Sequence, residues 1–87
     1  KYATIKILLQ NGANPNVQNK YTGFTPMHWE ARYGNLESIH LLLHNKAKEY
    51  IPDAKGYRPI DYAGKFHHYA TMKCLINHSI DNIMKSD

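Results

Sequence analysis

The apolar positions of this chain fall into stripes of helical spacing, separated by short polar turns. Leu36, Ile39, Leu42 and Leu43 follow the 3, 4 and 7 spacing of an amphipathic helix, which predicts a helix from about Asn35 to Asn45. Met72, Leu75 and Ile76 stripe a second such segment from about His68 to His78, and Ile5, Leu8 and Leu9 a third from about Tyr2 to Asn11. Gly12 follows that third stripe, where a helix C-terminus favours glycine. Shorter helices precede two of these. One is expected from about Pro26 to Tyr33, with Met27 and Ala31 one turn apart and Gly34 as its breaker; the other starts at Pro59 and carries Ile60 and Ala63.

The pattern is periodic. Gly23 recurs as Gly56, Pro26 as Pro59, Trp29 as Tyr62, Ile39 as Met72 and Leu42 as Leu75, all at an offset of 33 residues. Leu8 to Leu42 is 34, and the turn Asn19-Lys20-Tyr21-Thr22 is the natural place for the extra residue, since surface turns absorb insertions cheaply. A fixed period of this length marks a stacked-repeat architecture, in which each unit buries its stripe against its neighbours. The chemistry of the unit is consistent with its pattern. Gly23 closes a turn that needs positive φ, Thr25 offers a hydroxyl to free backbone amides, and Pro26 suits the first helical position.

Composition narrows the classes of function. The chain has 87 residues, 43% hydrophobic and 21% charged, enough for one small domain. No apolar run approaches a membrane span, so direct membrane insertion is not expected, although a longer parent can be membrane-attached. The single cysteine, Cys74, excludes an internal disulfide framework and fits a reducing compartment, cytoplasmic or nuclear. The net charge of +4 is spread along the chain rather than clustered, which argues against a nucleic-acid surface. Lys1 falls inside a helical stripe with no cap before it, so the sequence is expected to be a piece of a longer stack.

At this point the residues resemble a known family, the ankyrin repeats. Gly23-x-Thr25-Pro26-Met27-His28-x-x-Ala31-x-x-Gly34 nearly matches that family's signature, and Asn35-Leu36-Glu37-x-Ile39-x-x-Leu42-Leu43 and the run from Asn11 to Asn16 extend the match over roughly residues 1–80. The resemblance implies an all-α solenoid of stacked helix-turn-helix units joined by β-turn fingers, with the first helices lining a concave face. It divides the chain into the second helix and loop of a partial repeat (1–18), a complete repeat (19–52), a degenerate terminal repeat (53–80) and a C-terminal tail (81–87), which is either a short frayed helix or a linker. It makes Gly23, Thr25, Pro26, His28, Gly34, Gly56 and Pro59 structural, with Thr25 and His28 bracing a helix start. The departures carry their own expectations. Arg58 and Asp61 stand for threonine and histidine, so that brace is lost in the last repeat, where Asp61 can still favour a helix N-terminus by charge. Lys46, His67 and Ser79 stand where the family prefers glycine, implying strained or rearranged loops. Glu30 replaces a small residue and is expected toward the concave side, within reach of solvent.

Partner contacts in the family come from turn tips and exposed positions of the first helices. Here these are Tyr21, Thr22, Phe24, Arg32 and Tyr33 in one unit, then Ala54, Lys55, Tyr57, Lys65 and Phe66 in the next. The set is aromatic and basic, the composition of binding hot spots, while Phe24, Tyr57 and Phe66 also suit packing between repeats. Trp29 and Tyr62 are expected to stack at the seam between units. His40 and His44 lie one helical turn apart, but Leu41 stands where a His-Glu-x-x-His metalloprotease places glutamate, so no metal site is assigned. No phosphate loop and no nucleophile with an oriented base can be assembled, and Cys74 reads as a half-buried apolar residue. The expected function is therefore non-enzymatic, cofactor-free binding of a protein or peptide partner by a monomeric module. Two alternatives remain: a substrate-recruiting segment of a larger enzyme such as a kinase, an acyltransferase or an acyl-CoA-binding protein, and an anionic-ligand binder built on Arg32, Lys55 and Lys65.

Overall fold

The computed structural model describes residues 2–85. Five helices follow one another: α1 (Tyr2–Gln10), α2 (Pro26–Tyr33), α3 (Leu36–His44), α4 (Pro59–Lys65) and α5 (Tyr69–Lys85), with no strand among the described residues. Short helices α2 and α4 pack side by side as an inner layer, and α1, α3 and α5 lie behind them as an outer layer. The all-α stack of helix-turn-helix units is thus the observed architecture. Its core is Met27, Ala31, Ile39, Leu42, Ala47, Ala63 and Leu75, with Ile5, Leu9, Leu43, Ile60 and Met72 packed around it.

The start of α2 shows why the Thr-Pro-x-His run forms a helix there. Thr25 is extended (φ −92°, ψ 167°) and its hydroxyl accepts from the His28 amide at 3.3 Å, while His28 Nδ1 accepts from the Thr25 amide at 3.0 Å. With Nδ1 accepting, the ring proton sits on Nε2, which donates to the Tyr57 carbonyl of the next unit at 2.9 Å. One buried imidazole therefore caps its own helix and holds the next finger. In α4 half of this device remains: the Asp61 carboxylate accepts from the Arg58 amide at 2.8 Å, and Arg58 has no side-chain oxygen to accept the reciprocal bond.

Two of the departures from glycine keep the glycine conformation. Lys46 (φ 70°) and His67 (φ 64°) both adopt the left-handed backbone, so these loops are strained rather than rearranged. The third is different. Ser79 lies inside α5, where its hydroxyl donates to Glu49 Oε2 at 2.7 Å, and the helix runs on to Lys85 instead of ending near His78. Residues 81–85 of the tail continue that helix; Ser86, Asp87 and Lys1 lie outside the described residues. Gly34 has a steric role beyond its φ of 67°, because a Cβ there would come within 2.4 Å of the His68 ring. That ring is seated by a 3.0 Å bond between His68 Nε2 and the Arg32 carbonyl, so His68 ties the last unit to the end of α2.

Two expectations are corrected. Glu30 is buried, only 6% exposed, because its carboxylate turns inward to accept from Asn35 Nδ2 at 3.0 Å. Trp29 and Tyr62 do not stack directly: the Phe24 ring lies between them, 4.8 Å from Trp29 and 5.1 Å from Tyr62.

Candidate interaction groove

Two β-turn fingers project beside the inner helices. In the first, the Asn19 carbonyl accepts from the Gly23 amide and the Asn19 amide donates to Phe24, both at 2.8 Å. In the second, the Asp53 amide donates to the Tyr57 carbonyl at 2.7 Å. Successive fingers are hydrogen-bonded to each other, the Ala54 amide to the Thr22 carbonyl at 3.0 Å and Gln18 Nε2 to the Pro52 carbonyl at 3.2 Å. The space enclosed by these fingers and by α2 and α4 is a groove of about 730 Å³.

Phe24 forms part of its wall. It is 9% exposed, stacked on the His28 ring at 5.1 Å and tilted against Tyr62, so its role includes packing within the stack. Tyr62 in turn meets the Tyr57 ring edge-on at 6.0 Å. Asp53, also in the wall, organises the second finger: Oδ1 accepts from the Lys55 amide at 2.9 Å and the Tyr57 amide at 2.8 Å, and Oδ2 accepts from the Tyr62 hydroxyl. Burial pushes the Asp53 carboxyl up, but the Tyr62 hydroxyl and these two amides outweigh it and hold the group below its ordinary range. Burial and the adjoining Asp53 push the Tyr62 phenol up to about 12. Nothing in the sequence pattern singled out Asp53; the Asp-x-Lys-Gly-Tyr turn was its only local sign.

The rim is basic and aromatic. Tyr21, Thr22, Arg32, Lys55, Tyr57 and Lys65 all border the groove, so the structure brings together most of the contact residues expected from sequence. Tyr21 is 79% exposed, Tyr57 50%. Tyr33 and Phe66 flank it instead: the Arg32 guanidinium lies 5.9 Å from the Tyr33 ring centre and 5.3 Å from that of Phe66, and Lys65 Nζ lies 5.7 Å from Phe66. Among the described residues none of Arg32, Lys55 and Lys65 pairs with a carboxylate; the contact of this kind that forms is His78 Nε2 with Glu49 Oε1, 4.0 Å apart on the outer layer. Asp61 also borders the groove, with one oxygen engaged by the Arg58 amide.

The histidines and the cysteine fall elsewhere. His40 Nδ1 lies 3.7 Å from Cys74 Sγ, across α3 and α5, and no group of three metal-ligating side chains forms among the described residues. Burial pushes the Cys74 thiol up, the reverse of what an activated nucleophile needs. No described helix is long and apolar enough to cross a membrane.

Fold, fingers and cap together define a repeat protein, a stack of helix pairs joined by β-turn fingers. The chain belongs to the ankyrin-repeat family: residues 1–86 match the family description "Ankyrin repeats (3 copies)". It is similar to cyclin-dependent kinase inhibitor 2A of Monodelphis domestica, 36% identical over 69 residues, which are 79% of this chain and 40% of that protein. It is also similar to palmitoyltransferase AKR1 of Lachancea kluyveri, 30% identical over 57 residues, 66% of this chain and 8% of that protein. The matched segments thus cover less than half of either relative, 40% of the one and 8% of the other. Repeats of this family are in general protein-interaction modules without catalytic activity of their own.

Proposed function

We propose that this chain is a protein-binding module that grips an acidic segment of a partner protein in the groove between its fingers and α2 and α4. The observation that carries the reading is the meeting of three cations without carboxylate partners, Arg32, Lys55 and Lys65, with the exposed rings of Tyr21 and Tyr57 around one preformed groove. The cations select charge, and the tyrosines supply apolar area with a hydrogen-bonding end. Finger-to-finger hydrogen bonds fix the rim before binding, which lowers the ordering cost. Tyr33 and Phe66 orient Arg32 and Lys65 from the side. A relative named as a kinase inhibitor supports action on another protein. A monomer in the cytoplasm or nucleus completes the reading.

A displayed peptide library tests it. Bound peptides are expected to be rich in aspartate or glutamate, with affinity falling as salt is raised. The R32A/K65A pair is expected to abolish binding, and Tyr33→Ala with Phe66→Ala to weaken it, with the helical circular-dichroism signal retained. Peptides without acidic bias, or binding indifferent to both pairs, refute the assignment. A steep salt dependence with free inorganic phosphate as an equal competitor assigns the cations to a small anion instead.

A second reading rests on the similarity to a palmitoyltransferase: the repeats serve a larger enzyme as its substrate-recruiting arm. Sequencing the parent transcript on both sides of these residues decides it, and it is compatible with the first.

A further inference from the structure

Both inner helices close on the same pair of residue types. Arg32-Tyr33 ends α2 and Lys65-Phe66 ends α4, a cation followed by an aromatic ring, 33 residues apart. The stack gathers these four side chains at the C-terminal end of α2 and α4, the end farther along the helices from the fingers that lead into them. The Arg32 guanidinium lies 5.9 Å from the centre of the Tyr33 ring and 5.3 Å from that of Phe66, and Lys65 Nζ lies 5.7 Å from the same Phe66 centre. Two positive heads therefore share one ring. The Arg32 main chain is pinned as well, its carbonyl held by His68 Nε2 at 3.0 Å. Two carboxylates stand in the groove wall, and neither neutralises this pair. Asp53 has both oxygens engaged, Oδ1 by the Lys55 and Tyr57 amides and Oδ2 by the Tyr62 hydroxyl. Asp61 stands one helical turn before Lys65 but forms no ion pair with it, and one of its oxygens is held by the Arg58 amide.

We infer that Arg32 and Lys65 receive a phosphoryl group carried on a phosphorylated side chain of the partner segment; this rests on the groove reading above and names the anion that the groove takes. Charge and oxygen count decide between phosphate and carboxylate. The planar Arg32 fork, set against two rings, matches the paired oxygens of either anion. A carboxylate that fills the fork neutralises one of the two heads and leaves the other. A phosphate monoester carries about −1.5 to −2 charges at neutral pH and three terminal oxygens, so two face the fork and the third faces the ammonium. The flexible Lys65 stem closes on a group that Arg32 has already oriented. Shape selects the carrier. Both cations lie in the wall of a groove bounded by projecting fingers, which an extended chain can enter and a flat lipid surface cannot. The groove thereby becomes a reader of a modification, engaged after a kinase has acted on the partner and released by a phosphatase.

The probes are arrayed peptides with randomised flanks and a fixed central phosphoserine, phosphotyrosine, glutamate or serine, the best of each set being measured in solution by fluorescence anisotropy. A phosphorylated centre is expected to bind about tenfold tighter than glutamate, and glutamate tighter than serine. Arg32→Lys keeps the charge but not the fork, so it is expected to bring phosphorylated and glutamate centres within about twofold of each other while both still bind; Lys65→Ala narrows the same gap. Circular dichroism confirms the helices of each variant. Glutamate binding as tightly as either phosphorylated centre overturns the phosphoryl inference and leaves the acidic-segment reading standing. No preference of any acidic centre over serine overturns both. A phosphate preference unchanged in Arg32→Lys and Lys65→Ala places the phosphoryl group elsewhere, and the inference fails. It fails too if an equal concentration of inorganic phosphate displaces the phosphopeptide, which assigns the cations to a small anion. Retention on phosphatidylcholine vesicles doped with phosphatidylinositol phosphate, with no preference among peptides, assigns them to a membrane and likewise overturns it.

Discussion

Replacing Asp53 with alanine removes the acceptor for three donors at once. The Lys55 and Tyr57 amides lose Oδ1 at 2.9 and 2.8 Å, and the Tyr62 hydroxyl loses Oδ2. Asp53 is 7% exposed, so its charge is little screened. Hydrogen bonds to a charged group contribute about 1.5–3 kcal/mol each, and the amide of exposed Lys55 recovers most of its share from water. The expected loss is therefore about 3 kcal/mol, against a total of roughly 4–13 kcal/mol for a chain of this size. At about 4–8 °C per kcal/mol, the melting temperature falls by roughly 12–24 °C. Asp53→Asn, which keeps the shape and one acceptor, separates the charge from the geometry. The folded Asp53 carboxyl titrates below its ordinary value of 3.8, so its stabilising charge is present above that pH and is lost as the pH falls through the lower, folded value. The gap between wild type and Asp53→Asn in urea unfolding is accordingly wide at neutral pH and closes in acid. A cost of Asp53→Ala below about 1 kcal/mol, or a gap unchanged by acid, refutes the view that this carboxylate holds the finger.

The Tyr62 phenol is held protonated up to about 12, so its contribution is complete below the ordinary value of 10.0 and drains away between the two; phenolate absorbance should show a titration step near that raised value, which moves down in Asp53→Asn. Lys46→Gly and His67→Gly relieve left-handed strain at φ 70° and 64°, and each is expected to raise the denaturant midpoint by about 1 kcal/mol equivalent; a loss of stability would show that the side chains outweigh the strain. Gly34→Ala drives a methyl into the His68 ring and should cost more than 1 kcal/mol, roughly, measured by thermal unfolding, with His68→Ala partly restoring it. Leu42→Ala, at 1% exposure in the middle of the core, is expected to cost about 2–5 kcal/mol without changing the helical fold at low temperature.

Much of the fold was legible because each unit writes its own instructions locally. Thr25, Pro26 and His28 specify a helix start with their own side chains, and the Leu36-to-Leu43 stripe specifies a buried face, so α2 and α3 fall where the pattern puts them. The left-handed sites at Lys46 and His67 were legible for the same reason, since the period marks the position whatever residue fills it. What was not legible depends on contacts between units. Glu30 turns inward because Asn35, beyond the helix break, offers an amide. Phe24 separates Trp29 from Tyr62 because a finger residue of one unit reaches between the helices of two. Ser79 stays helical because Glu49, 30 residues earlier, accepts its hydroxyl. Most of the groove's rim was expected from its positions in the repeat, whereas Asp53, which shapes the second finger, was hidden in an ordinary polar turn.

The bonds that link successive units each span about one period of the chain: 29 residues from His28 to Tyr57, 32 from Asn16 to Lys48, 34 from Gln18 to Pro52 and 36 from Arg32 to His68. No bond of this set leaps across two periods, so tension applied to the two ends of the molecule is borne by the successive junctions in series, the bonds within one junction sharing it in parallel. Stretched in an optical trap, such a chain yields one unit at a time, each rupture freeing about one period of slack. A groove that spans two fingers then opens when the junction between those fingers breaks, whether or not the other junction still holds.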